Sequence, residues 1–139
     1  MATAPFNSRW WSVQLPDGWQ AIEHEECVTI SATHSPSALQ ISAARKDAGL
    51  ITDEDLRQFA VERLGEEMPL TTVNLTFFTG LYAEYLDNHN FWREWWLRAG
   101  VLMIYGTYNT DEKLKETERV LVDTIVKTLK PTEIKDDKS

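Results

Sequence analysis

Polar and apolar positions alternate along much of this chain, and where the period changes the kind of element changes with it. An apolar stretch from Trp10 to Leu15 stops at Pro16-Asp17-Gly18, a strong turn signal, and Trp19 to Ile22 resumes as a short strand. Glu23-His24-Glu25-Glu26 reads as an exposed turn. Val28, Ile30 and Ala32 then alternate with Thr29 and Ser31, the period of a half-buried strand. After a turn at His34-Ser35-Pro36-Ser37, Leu39, Ile41 and Ala43 repeat the pattern against Gln40 and Ser42.

The period next becomes helical. Thr52 suits an N-cap, Asp55 stands three residues on, and Leu56, Phe59, Ala60 and Leu64 follow at helical spacing. A helix is predicted over 53–67, stopping at Pro69. From Thr71 to Tyr108 the pattern is strand-like again, in four segments. A long last helix is predicted from Asn109 or Thr110, with Leu114, Leu121, Ile125 and Leu129 as its stripe and Val122 and Val126 widening it. The expected organisation is one domain over 10–131, between a flexible N-terminus, 1–9, and a disordered tail, 132–139.

Cross-strand pairing sharpens the stretch from Leu81 to Tyr108. A two-residue turn at Asn88-His89 places Asp87 opposite Asn90 and, counting outward, Glu84 opposite Arg93, Tyr82 opposite Trp95 and Tyr85 opposite Trp92. A slip of one residue loses the charge pair, so this register is preferred. A second turn at Ala99-Gly100 places Gly106 opposite Arg93, Tyr105 opposite Glu94 and Met103 opposite Trp96. Both faces of the three strands are then apolar and need cover. The expected fold is α+β: a mainly antiparallel sheet of six to eight strands with helices on both faces, an α/β/α sandwich. Two helices are too narrow for so wide a sheet, so some aromatic surface should stay open or form a groove.

Composition narrows the function classes. Six tryptophans are available, and each one buried removes on the order of 200 Å² from water. The 22 acidic residues against 14 basic ones give a formal charge of -8, which argues against nucleic-acid binding and favours a basic protein partner, while the aromatic excess suits an apolar one. Cys27 is the only cysteine, which excludes an internal disulfide and a cysteine-based zinc site. No run approaches the roughly 20 apolar residues of a membrane span, and the first residues lack a signal-peptide pattern. No membrane insertion and a cytoplasmic location are expected.

Two constellations are candidate sites. Glu84 and Arg93, with Gly106 leaving room beside them, could form a small polar pocket; the plainer alternative is a structural salt bridge. On the other face Trp92, Glu94, Trp96 and Arg98 alternate, and with Tyr105 alongside they could form an aromatic groove for an apolar helix or an extended peptide. The plainer alternative there is that both tryptophans pack under a helix while Glu94 bonds Tyr105. His24, Glu25, Glu26 and Cys27 are ligand types without ligand spacing, His34 lies in a turn, and His89 with Asp87 makes at most a weak pair, so no metal is expected. No Gly-x-Ser-x-Gly elbow and no glycine-rich phosphate loop occurs, so neither catalytic residues nor a cofactor is predicted.

The opening strand followed by Leu15-Pro16-Asp17-Gly18-Trp19 resembles the "strand, Leu-Pro-x-Gly-Trp" start of the PsbP-like fold family. That family includes the photosystem extrinsic subunit, DcrB-type bacterial lipoproteins and the factor that releases nucleotide from Ran. The strands from Tyr82 to Tyr108 and the ending Thr128-Leu129-Lys130-Pro131 are similar too. The resemblance implies an antiparallel sheet between helices and mostly non-enzymatic binding, adaptor or chaperone roles. None of the family's partner-binding residues maps onto this chain one by one. The function expected is a non-enzymatic protein- or peptide-binding module of adaptor, chaperone or immunity type, using the aromatic sheet face. The alternative is a small-molecule pocket protein anchored by Glu84 and Arg93.

Overall fold

The computed structural model describes residues 3–132. They form a mixed α+β fold of two antiparallel sheets and two helices. Five strands come first: β1 (Thr3–Asn7), β2 (Trp11–Pro16), β3 (Trp19–Glu23), β4 (Val28–Ala32) and β5 (Ala38–Arg45). Helix α1 (Asp53–Leu64) follows, then β6 (Thr71–Asn74), β7 (Thr79–Asp87), β8 (Asn90–Ala99) and β9 (Leu102–Asp111). A 3₁₀ turn (Glu112–Leu114), helix α2 (Arg119–Lys127) and β10 (Lys130–Pro131) close the fold. The large sheet has seven strands in the order β3-β4-β5-β9-β8-β7-β6; β1, β2 and β10 form a separate small one.

Local sequence accounts for α1. Thr52 Oγ1 accepts from the Asp55 backbone N–H at 3.1 Å, and Asp55 Oδ2 accepts from the Thr52 N–H at 2.9 Å, a reciprocal capping box. Three acids fill the first turn, where the helix dipole favours them. The helix ends at Leu64, earlier than predicted, because Gly65 takes a φ of 89°, which helical residues do not adopt.

The first hairpin has the predicted register: Asp87 faces Asn90, Glu84 faces Arg93, Tyr82 faces Trp95 and Tyr85 faces Trp92. Asn88 takes the left-handed φ of 57° that the turn needs. The second hairpin is shifted by two residues. Its turn is Gly100-Val101, so Arg93 faces Tyr108, Glu94 faces Thr107, Trp95 faces Gly106 and Trp96 faces Tyr105. Gly100 has a φ of 62° and therefore sits inside the turn, at the first central position that a type II′ hairpin reserves for glycine. A shift of two leaves every side chain on its predicted face, since the strand period is two.

The termini differ more. Part of the expected flexible N-terminus is β1, paired with β2 from Thr3 opposite Pro16 to Asn7 opposite Ser12, with Phe6 set 6.0 Å from the Trp11 ring. The long C-terminal helix is shorter than predicted. Asn109 and Asp111 continue β9, opposite Trp92 and Asn90, and the Asp111 side chain caps the 3₁₀ turn by accepting from the Lys113 N–H. Asp111 and Glu112, which would have filled the first turn of that helix, thus belong to a strand end with its cap and to the 3₁₀ turn. Lys130 and Pro131 pair with β2, and Thr132 N–H donates to the Trp10 carbonyl at 2.8 Å. The rest of the expected tail, 133–139, lies outside the described residues.

Alternate residues of β8 join different apolar clusters. Trp95 and Leu97 pack with Ile104, with Val122, Ile125 and Val126 of α2, and with Trp11, Val13 and Leu15 of β2. Trp96 packs with Leu56 and Ala60 of α1, and with Ala83 and Met103. The small sheet thus supplies cover that the two helices alone could not. At about 25 cal/mol per Å², burying these apolar clusters is the main favourable term in folding.

Candidate functional site

Strand parity divides the predicted site residues between the two faces of β7–β9. Trp92, Glu94, Trp96 and Tyr105 share one face; Glu84 and Arg93 share the other.

On the first face Glu94 is 0% exposed. Tyr85 and Tyr105 each donate a phenolic O–H to its carboxylate, at 2.5 Å, one to each oxygen. Arg63 on α1 lies 3.5 Å from the same carboxylate and donates from Nε to the Tyr105 hydroxyl at 3.1 Å. A charge so deeply placed is tolerated because both oxygens are bonded and a cation stands beside them. Burial, first, and donation to Glu94, second, push the Tyr105 phenol up to about 12; Tyr85 is raised for the same reasons. Trp96 is 1% exposed, its ring 5.8 Å from that of Tyr105, and Trp92 is half-buried and stacked on Tyr85 at 6.4 Å.

Beside this network runs an apolar groove of about 390 Å³ between α1 and strands β5 and β9. Trp96, Met103, Tyr105 and Ala44 line it from the sheet; Phe59, Glu62 and Arg63 line it from α1. Phe59 is 49% exposed, a large ring left half in water at the mouth of a cavity. Sequence reasoning found Trp96 and Tyr105 but missed Phe59, which it placed in the helical pattern as a core position, and Arg63, which it did not single out. An aromatic residue adjacent to Ala60, both on one helical face already served by Leu56, was the available signal.

The second face arranges its charges differently from the expected direct pair. Glu84 and Arg93 are cross-strand partners, but the Tyr82 hydroxyl stands between them: it donates to Glu84 at 2.6 Å and accepts from Arg93 Nε at 2.6 Å. Arg93 Nη2 donates to Asp123 of α2, and Glu84 pairs with Arg119 at 3.2 Å. Burial pushes the Glu84 carboxyl up, yet donation from Tyr82 and Arg119 outweighs it and holds the group below its ordinary value. Gly106 is not beside this pair; it lies opposite Trp95, whose ring would be 3.5 Å from a Cβ placed there.

The histidines stay apart from both networks. His24 meets Thr29 at 3.1 Å, and His89 lies 3.7 Å from Glu112 rather than with Asp87. Among the described residues no group of three His, Cys, Asp or Glu side chains is placed to hold a metal, and no helix is long and apolar enough to cross a membrane.

Several solved structures share this architecture. A protein of Bacteroides thetaiotaomicron VPI-5482 superposes with a TM-score of 0.69 at 17% identity, over 100% of this chain and 51% of that one. This chain therefore spans about half the length of that relative. LpqN, involved in cell envelope biogenesis of Mycobacterium tuberculosis, superposes with a TM-score of 0.58 at 14% identity, over 94% of this chain and 86% of LpqN. Cyanobacterial PsbP (CyanoP) of Synechocystis sp. PCC 6803 gives 0.50 at 12% identity, over 93% of this chain and 92% of that one. No family model matches the chain, and no curated protein matches it in sequence. At these identities the likeness is one of fold alone, and the chain has the PsbP-like fold that Leu15-Pro16-Asp17-Gly18-Trp19 suggested.

Proposed function

We propose that the chain is a non-enzymatic binding module whose groove along α1 takes an apolar side chain from a protein segment flanked by Lys or Arg. The observation that carries this reading is the half-exposed Phe59 facing Trp96, Met103 and Tyr105 across about 390 Å³ of mostly apolar space. Such a volume suits one large side chain and its neighbours, and aromatic residues are the usual anchors of such contacts. Charge selects the flanks. The groove carries Glu62 and Arg63, with the Glu94 carboxylate beneath, so its formal charge is negative, as is that of the whole chain at -8. A cationic flank is drawn to that field; an acidic one is repelled.

The layered arrangement is part of the same reading. Helix α1 forms one wall of the groove from one side of the large sheet, while α2 and the small sheet close the other side. The separate clusters around Trp96 and Trp95 support it.

Fluorescence anisotropy with synthetic peptides tests the reading. A labelled peptide with Phe or Leu between lysines should bind saturably, weaken at high salt, and lose at least tenfold in Ala44→Trp and Phe59→Asp. Its glutamate-flanked counterpart should bind at least tenfold less. Equal binding of both peptides, or binding untouched by the two substitutions, would sink it.

A further inference from the structure

Arg93 is 5% exposed at the middle of β8. Its Nε is bonded to Tyr82 and its Nη2 to Asp123, but Nη1 has no partner, the one buried side-chain polar atom so left among the described residues. Buried donors are nearly always paired, and a charged one left unpaired is costly. The guanidinium also lies over the Trp95 and Tyr82 rings, at 4.8 and 5.2 Å from their centroids, so aromatic faces hold it in place.

A recess of about 230 Å³ opens against this same residue, between α2 and the β6 end of the large sheet. Val73, Leu75, Trp95 and Val126 give it an apolar wall, and Asp123 and Lys127 join it from the exposed side of α2. Its charged groups are two cations and one carboxylate. That balance leaves a single positive charge, which suits a monoanion and disfavours a phosphate dianion. Glu84, turned toward Tyr82 and Arg119, takes no part.

We infer that this recess binds a short-chain monocarboxylate, whose carboxylate accepts from Arg93 and Lys127 while its apolar body lies against Val73, Leu75 and Val126. Lys127 and Asp123 are exposed and able to reorient around an arriving ligand; Arg93 is held by Tyr82. The site lies on the opposite face of β8 from the peptide groove, so either can fail without the other.

The test follows Tm of the intact chain while sodium acetate, propionate or isovalerate is added at constant ionic strength, with chloride and isovaleramide as controls. The expected result is a saturable rise, largest for isovalerate and about 2–6 °C at saturation, with none for the amide or chloride. Val73→Phe fills the recess while keeping Arg93 itself and should abolish the rise, whereas Phe59→Asp should leave it intact. Arg93→Lys should weaken the apparent affinity at least tenfold, and Val73→Phe decides the matter if that variant does not fold. An absent response, an equal response to the amide, or a full response in Val73→Phe overturns the inference.

Discussion

The Tyr105 hydroxyl donates to Glu94 at 2.5 Å although the two residues are not cross-strand partners: Tyr105 faces Trp96 and Glu94 faces Thr107. The phenol reaches diagonally along the sheet face, and Tyr85 reaches the other carboxylate oxygen from β7. Glu94→Ala leaves two part-buried phenols without their acceptor and should cost about 2–3 kcal/mol, read by urea unfolding. Glu94→Gln keeps the shape but offers only one accepting oxygen, so about 1–2 kcal/mol is expected. A variant as stable as the parent in both cases would mean that the network contributes nothing.

Two strand glycines should respond in opposite ways. A Cβ at Gly80 would lie 1.9 Å from the Trp96 carbonyl oxygen, and that backbone belongs to a central strand that cannot move aside. Gly80→Ala should therefore destabilise by about 2–4 kcal/mol, in the range of strained substitutions. At Gly106 the nearest atom is the Trp95 ring at 3.5 Å, ordinary contact, so Gly106→Ala should change stability by less than about 1 kcal/mol. Urea midpoints of the pair check the contrast.

Thr52 stands at the start of the helix that walls the groove. Thr52→Ala removes one half of the capping box and should cost about 1 kcal/mol, whereas Thr52→Ser should be near neutral. Faster amide exchange confined to the first turn of α1 is the expected signature.

Stability should fall at both ends of the pH scale. All four tyrosines have raised phenols, with burial the largest cause; Tyr82, Tyr105 and Tyr108 stand at about 12. A group raised above its unfolded value stabilises fully below that value, near 10 for tyrosine, and the contribution is lost as pH rises toward 12. Absorbance at 295 nm should show little ionisation at pH 10 while the chain is folded. Glu84, Asp53 and Asp55 are lowered, so their contribution is present above the ordinary carboxylate range and is lost as pH falls through and below it. Urea midpoints between pH 2 and pH 12 should be highest in between.

The outcome at each element shows where local information ran out. The Asn88-His89 hairpin was legible because turn chemistry, a charge pair and aromatic pairs agreed on one register. The second hairpin was not, because alternation alone cannot distinguish turns two residues apart. Asp111 and Glu112 carried a helix-start signal that a strand end and a 3₁₀ turn used instead. Thr3 to Asn7 carried no strong strand signal at all, and its pairing is supplied by β2.

Periodicity and turn chemistry by themselves determined most strands, the start of α1 and the face on which each of Trp92, Glu94, Trp96, Glu84 and Arg93 lies, because these depend on neighbours within a few residues. Only the tertiary structure decided what each charge meets. Arg63 comes to Glu94 from 31 positions away, Asp123 to Arg93 from 30 and Arg119 to Glu84 from 35. Side-chain partners at that separation are set by how helices pack on a finished sheet, and no local pattern encodes that geometry.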